Sequence, residues 1–309
     1  MNIYFYATFS NQDEFLASVR KKFKSHKIFT KNDNIKLDII DVALVWKLPN
    51  KILKKLTNLK IIFSLGAGVD HILSLPSYQK IPIIRIKDPN MRLRMFNHVL
   101  SQILNYQLKL NDYRLAQNKQ KWLDEKYTLL NKDLTVGVLG LGYIGSFVAK
   151  KLQSLDYKVI GYKNSRNKSK ILFPVYYKNS ISTFLRASDI IVSILPATPN
   201  TKNIINTSFL NQLKNNCLLI NIGRGSSLNE DDLIKHLKKN KNFFASLDVF
   251  IKEPLLKKHQ FWKNPNVTVT PHIAAVTDVD SSIDYIFTKF EYFRKKRKIK
   301  SDVFINRGY

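Results

Sequence analysis

The sequence predicts an α/β protein built from two doubly wound parallel-sheet domains, the second inserted into the first. Three observations carry that prediction. Short, nearly continuous apolar runs alternate with helical patterns, which is how strands covered on both faces of a parallel sheet read. The alternation occurs twice, before and after a long helical pattern from about Arg92 to Asn118 that contains neither Pro nor Gly. A length of 309 residues is long for one core and comfortable for two.

The first alternation reads as strands at "NIYFYA" (Asn2 to Ala7), "VALVW" (Val42 to Trp46) and "KIIFSL" (Lys60 to Leu65), with helices near Glu14–Phe23 and Lys51–Leu56. After the long helix a second alternation begins at Thr135, with strands at "TVGVLG", "YKVIGY", "DIIVSIL", "CLLINI" and "FFASLDVF". One of the helices between them opens with "NEDDL" (Asn229 to Leu233), a capping side chain followed by an acidic first turn. A last helix, from roughly Val279 to Lys298, leads to a short tail. The resulting division gives 1–96 and 276–309 to one domain and 97–275 to the inserted one.

Composition narrows the possible partners. The net charge is +28, from 51 basic and 23 acidic residues, which invites a nucleic-acid reading. The basic residues are mostly Lys and spread along the chain, and Lys, Asn and Ile, all with A/T-rich codons, are abundant together. No recognition-helix, RNP-type or zinc-finger pattern accompanies them, so no nucleic-acid partner is expected. The densest run, "RKKRKIK" (Arg294 to Lys300), ends an amphipathic stretch, where cations suit a helix C-terminus. No run approaches the ~18 apolar residues of a membrane span. The N-terminus lacks a basic leader and a small-residue cleavage site. The single cysteine, Cys217, sits in an apolar strand pattern as a small hydrophobe. A cytoplasmic protein without membrane contact is the expectation, and no metal-ligand cluster is present in the sequence.

The segment "VGVLGLGYIGSFVAKKL" (Val136 to Leu152) places Gly140, Gly142 and Gly145 between a strand and a helix. That is the spacing of a dinucleotide-binding turn. The first glycine allows the tight turn, the second lets backbone approach a pyrophosphate, and the third lets helix and strand pack closely. The free N–H groups of the helix start then face the phosphates. An acidic residue normally follows about 20 positions later to hold the ribose hydroxyls of NAD. Here "VIGYKNSRNKSK" (Val159 to Lys170) contains no carboxylate. Lys163 takes the usual acid's slot, with Ser165 and Arg166 just beyond it. Cations attract a 2′-phosphate where an acid would repel it, so NADP(H) is the expected cofactor, with NAD(H) possible.

Three further segments, "LLINIGRGSSLNEDDL", "SLDVFIKEP" and "VTVTPHIAA", each set a polar residue just past a strand, where an open parallel sheet places its ligand crevice. With the glycine turn, they resemble the D-isomer-specific 2-hydroxyacid dehydrogenases over nearly the whole chain. "LGAGVD" (Leu65 to Asp70), "LPATPNT" (Leu195 to Thr201) and "LDVF" (Leu247 to Phe250) match as well. "VW" at Val45–Trp46, "NDYR" at Asn111–Arg114 and the terminal "RGY" look like the glyoxylate/hydroxypyruvate reductase branch. The resemblance implies a Rossmann nucleotide-binding domain inserted in a flavodoxin-like substrate domain.

It also implies chemistry. Arg224, Glu253 and His272, in that order, match the family's catalytic set. Reduction of a 2-keto acid needs a hydride at the carbonyl carbon, a proton for its oxygen and a clamp for its carboxylate. His272 suits the proton donor. Glu253 would fix the imidazole tautomer and favour its charged form, and Arg224 can hold a carboxylate in a bidentate grip. The resemblance gives Gly66, Ala67 and Gly68 a role in offering backbone N–H groups to the substrate, with Trp46 as a pocket wall. It places Asp248 near the nicotinamide and adds Tyr143, Ile144, Leu195, Pro196 and Ile222 to the nucleotide contacts. Where relatives often carry an acid and a tyrosine, this chain has Asn97 and His98, and Tyr143 is bulkier than usual. A homodimer is implied too, with the long helix and Lys119–Asn131 contributing. The implied activity is NADPH-dependent reduction of glyoxylate to glycolate and of hydroxypyruvate to D-glycerate. Another 2-keto acid, or a non-catalytic dinucleotide-sensing role, stands as the alternative.

Overall fold

A computed structural model of the chain describes residues 1–164, 172–305 and 308. They form two compact units, Met1–Met91 with Thr277–Tyr309, and Arg92–Val276.

The first unit runs β1 (Asn2–Tyr6), α1 (Gln12–Lys22), β2 (Lys27–Phe29), β3 (Val42–Val45), α2 (Asn50–Leu53), β4 (Ile61–Ser64), α3 (Asp70–Leu73) and β5 (Ile83–Arg85). Its five strands are ordered β2-β1-β3-β4-β5 and are all parallel. Every residue of β3 and β4 is buried, as unbroken apolar runs inside a covered sheet require. Helix α1 carries Asp13 and Glu14 in its first turn and Arg20, Lys21 and Lys22 in its last, matching the helix dipole, and buries Phe15 and Val19 one turn apart.

The second unit is entered along α4 (Pro89–Gln107), followed by α5 (Leu110–Asn118), β6 (Thr135–Leu139), α6 (Tyr143–Gln153), β7 (Lys158–Tyr162), β8 (Val175–Tyr176), α7 (Ile181–Ala187) and β9 (Ile190–Ser193). Then come α8 (Thr207–Leu210), β10 (Leu218–Asn221), α9 (Glu230–Lys239), β11 (Phe244–Leu247) and β12 (Val267–Val269), before α10 (Val279–Lys296) returns to the first unit. The parallel sheet is ordered β12-β11-β10-β9-β6-β7-β8. Alternate residues of one strand serve opposite faces. Leu139, Ile160, Ile191 and Leu219 enter one core cluster, while Val138, Val159, Val192 and Ile220 enter the other, with Val99 and Ile103 of α4. Strand order reverses at β6, which pairs with β7 on one side and β9 on the other. The crevice for a ligand therefore lies beyond the C-terminal end of β6.

The structure departs from the sequence expectation in places. The expected single helix from Arg92 to Asn118 is two helices, broken where Lys109 takes a left-handed conformation, φ 57°. The last helix ends at Lys296 because Arg297 is also left-handed, φ 53°. Neither break has a Gly or Pro to announce it. Strands β2, β5 and β8 were not expected; with two or three residues each they are too short for a period to show. The Asn229 cap is present, its side chain accepting from the Asp232 N–H, and Cys217 is fully buried.

Candidate active site

The glycine turn joins β6 to α6. Gly140 has φ 102°, a conformation open to glycine, and its N–H donates to the Tyr162 carbonyl at 3.0 Å, fastening the turn to the end of β7. A Cβ at Gly145 would collide with the Gly140 carbonyl oxygen, whereas a Cβ at Gly142 would meet no described atom within 4 Å. The first and third glycines are thus required by the protein itself. The second, at the N-cap of α6, borders open space beside helix N–H groups that have no intrahelical acceptor. This geometry fits a dinucleotide pyrophosphate. Tyr143 begins α6 and Ile144 follows it; the Arg92 guanidinium lies 5.2 Å from the Tyr143 ring centroid and 4.5 Å from that of Phe147. Across the crevice, Gly223 packs so closely on Leu195 that a Cβ would lie 2.6 Å from its backbone N and O. The Leu195–Pro196 and Ile222–Gly223 segments therefore line the same end of the sheet.

Lys163 is the first residue past β7, and its N–H donates to the Tyr176 carbonyl at 3.2 Å. Ser165 and Arg166 lie outside the described residues, as do Arg307 and Tyr309 of the terminal "RGY".

Arg224, Glu253 and His272 all follow strands of the second sheet: Arg224 stands beyond β10, Glu253 beyond β11 and His272 beyond β12. Arg224 and Glu253 are linked through backbone. A Cβ at Gly225 would overlap the carbonyl carbon of Phe250, so the Arg224 turn rests directly on the segment leading to Glu253. The Phe250 N–H in turn donates to Glu253 Oε1 at 3.1 Å. Glu253 Oε2 lies 2.9 Å from His272 Nδ1. The His272 side chain is about half exposed and that of Glu253 one-third exposed, so the pair is accessible to a ligand. Arg224 is half-buried, and its Nη1 donates to the Gly223 carbonyl at 2.9 Å.

Asp248 organises the loop that carries the histidine. It is buried at 1% exposure. Oδ1 accepts from the Thr270 hydroxyl at 2.6 Å and the Ile273 N–H at 2.9 Å, and Oδ2 accepts from the Ala274 N–H at 2.9 Å. His272 is left-handed, φ 55°, unusual for a non-glycine residue, and its N–H donates to the carbonyls of Asp248 and Thr270 at 2.9 and 3.0 Å. Sequence reasoning placed Asp248 near the ligand but missed this bracing role and missed Thr270; a carboxylate ending an apolar strand was the available signal. The residues at the unusual positions part company: Asn97 is exposed, whereas His98 points inward with Nε2 buried and no partner among the described residues. Burial holds the His98 imidazole below the ordinary histidine value, and the Asp248 charge opposes that shift.

Within the first unit, Trp46 follows β3 and Gly66 follows β4. The Trp46 ring lies against Gly66 so tightly that any side chain there would strike it, and it tilts over His71 with centroids 4.4 Å apart. Ser64 Oγ donates to the Gly68 carbonyl at 2.8 Å. The N–H groups of Gly66, Ala67 and Gly68 donate to no backbone carbonyl among the described residues. Among those residues no group of His, Cys, Asp and Glu could hold a metal ion, and no helix is long and apolar enough to cross a membrane.

Known proteins resemble the chain over its whole length. The family described as D-isomer specific 2-hydroxyacid dehydrogenase, NAD binding domain, matches residues 100–274. The glyoxylate/hydroxypyruvate reductase A of Photorhabdus laumondii is 33% identical over 318 residues, covering 100% of both chains. An NADPH-dependent glyoxylate/hydroxypyruvate reductase from Sinorhizobium meliloti, solved with NADP and sulfate, is 33% identical with a TM-score of 0.92, covering 100% of this chain and 99% of that one. A D-isomer specific 2-hydroxyacid dehydrogenase from Xanthobacter autotrophicus Py2, solved with NADPH and MES, is 27% identical with a TM-score of 0.92 over 100% and 99% of the two chains.

Proposed function

The chain belongs to the D-isomer-specific 2-hydroxyacid dehydrogenase family, and we propose that it reduces small 2-keto acids, glyoxylate and hydroxypyruvate foremost, with NADPH preferred over NADH. The observation that carries this reading is the His272–Glu253 pair at 2.9 Å, with Arg224 braced beside it on the same sheet end. The cofactor, when bound, supplies the hydride. Because Nδ1 of His272 faces Glu253, Nε2 is left for the substrate. It gives its proton to the carbonyl oxygen as the carbonyl carbon takes the hydride and becomes the alcohol carbon, primary in glycolate and secondary in glycerate, and the neighbouring carboxylate holds the ring in the orientation that this transfer needs. Arg224 holds the substrate carboxylate and orients the carbonyl. Gly140, Gly142 and Gly145 with the start of α6 hold the pyrophosphate, and Lys163 faces the 2′-phosphate end. In the first unit, Trp46 and the Gly66–Gly68 turn are the proposed substrate contacts.

The two units correspond in this reading to a substrate domain and a nucleotide domain. A homodimer is also proposed. Exposed apolar residues in the segment after α5, Trp122 at 92% and Tyr127 at 84% exposure, support burial against a second copy; light scattering at micromolar concentration should give twice the monomer mass. The cytoplasm is the proposed location. The deciding experiment is a panel of 2-keto acids followed by NADPH absorbance. Turnover concentrated on glyoxylate and hydroxypyruvate is expected, and no turnover of any 2-keto acid with either cofactor would overturn the proposal.

A further inference from the structure

The pairing of β7 with β8 brings two residues together at the edge of the nucleotide sheet. Tyr162 aligns with Tyr176, and the Lys163 N–H donates to the Tyr176 carbonyl. The next residues out, Lys163 and Tyr177, therefore emerge side by side. The Lys163 ammonium stands 6.0 Å from the Tyr177 ring centroid, within cation–π range. The turn bearing Tyr177 is itself fixed: the Tyr162 hydroxyl donates to the Lys178 carbonyl at 3.1 Å, and Lys178 holds φ 35°. From Tyr157 to Ser188 the sequence contains no carboxylate, so the nearby stretch of chain offers this ammonium no anion.

A free lysine loses rotamer freedom when it grips a phosphate. One already resting over a ring face loses less, and preorganisation of this kind appears as affinity. We infer that Tyr177 is a positioning residue: it holds the Lys163 ammonium where the 2′-phosphate of the cofactor arrives, and so contributes to discrimination between NADP(H) and NAD(H). The inference rests on the NADPH preference proposed above. It assigns to the β8 edge a part in a selection that the sequence placed wholly in the segment after β7.

Binding of adenosine fragments tests it without catalysis. Calorimetric titration of the full chain with 2′,5′-ADP and with 5′-AMP isolates the 2′-phosphate contribution. The unaltered protein should bind 2′,5′-ADP more tightly. Tyr177→Phe keeps the ring face and should leave the ratio of the two affinities unchanged. Tyr177→Leu should weaken 2′,5′-ADP binding about threefold, the worth of a partly exposed cation–π contact, and leave 5′-AMP alone. In a Lys163→Ala background the same Tyr177→Leu change should have no further effect, because its partner is gone. Equal weakening of both ligands would mean that Tyr177 acts on the base instead and would overturn the inference; so would no change, or an undiminished effect without Lys163. Equal binding of the two fragments by the unaltered protein would overturn the NADPH preference itself, and this inference with it.

Discussion

Glu253 Oε2 and His272 Nδ1 are 2.9 Å apart across 19 residues of chain, and each partner is held from its own side. Glu253 is fixed through Oε1 by the Phe250 N–H, and His272 through the carbonyls of Asp248 and Thr270. The contact thus joins the segments after β11 and β12 into one rigid unit with a single imidazole nitrogen left for chemistry. His272→Ala should lower kcat roughly 10²–10⁴-fold, the usual worth of a positioned general acid. Glu253→Gln should lower kcat less and leave the KM for the keto acid nearly unchanged, since it alters the orienting partner and not the clamp. Arg224→Ala should lower kcat and raise KM together. Steady-state rates with glyoxylate and NADPH check all three; near-normal turnover by His272→Ala would refute the assigned mechanism.

Asp248 is the brace on which that geometry depends. Asp248→Ala would leave the Thr270 hydroxyl and the N–H groups of Ile273 and Ala274 without their acceptor. Only the Ala274 bond is fully buried, the other two being part-buried; with an unmet buried group costing about 1–3 kcal/mol, a loss of roughly 2 kcal/mol is expected. Urea unfolding should show it, and kcat should fall because His272 would no longer be held at positive φ. Unchanged stability would mean that the loop keeps its shape without the carboxylate.

The three glycines of the turn should fail in different ways. Gly145→Ala sets a methyl group against the Gly140 carbonyl oxygen, so it should lower the melting temperature sharply. Gly142→Ala meets no described atom within 4 Å, so it should fold normally and weaken dinucleotide binding by obstructing the pyrophosphate. Thermal unfolding combined with NADPH titration separates the two. A Gly142→Ala protein that bound NADPH normally would remove this glycine from the cofactor site.

Much of this was legible in the sequence because it is periodic or local. Buried runs such as Val42–Val45 and Ile190–Val192 are apolar at every position, and the glycine spacing reports a steric demand that the Gly145–Gly140 contact makes plain. The triad could be read only as an ordered set, since nothing local says that Glu253 reaches His272. The unread parts are those where tertiary context decides. Lys109 and Arg297 end helices in left-handed conformations with no glycine to mark them. The two-residue β8 exists because β7 is there to pair with it. The role of Asp248 depends on the convergence of three donors from a loop more than 20 residues away, which no spacing rule anticipates.

Acidification should destabilise the fold through three half-buried histidines. Burial pushes the imidazoles of His26, His98 and His236 below the ordinary value of 6.5. His236 shows the structural counterpart: its Nε2 lies 3.3 Å from Asn240 Nδ2, a group that can only donate, and its ring packs edge-on against Phe243. Protonation would remove that acceptor. The unfolded chain takes up protons on these groups near 6.5 while the folded chain resists. Stability is therefore full above that value and falls as pH drops through 6.5 toward the lower folded values. Asp33, Asp41 and Glu291 shift downward from 3.8, 3.8 and 4.5, so their contribution is lost only at more acidic pH. Urea midpoints at pH 7.5 and about 5.5 then isolate the histidine effect. The midpoint should fall between these conditions in the unaltered protein and fall less in His236→Gln, where the titrating group is gone but a hydrogen-bonding side chain remains. An identical fall in the variant would show that His236 titrates alike in both states and that the loss arises elsewhere.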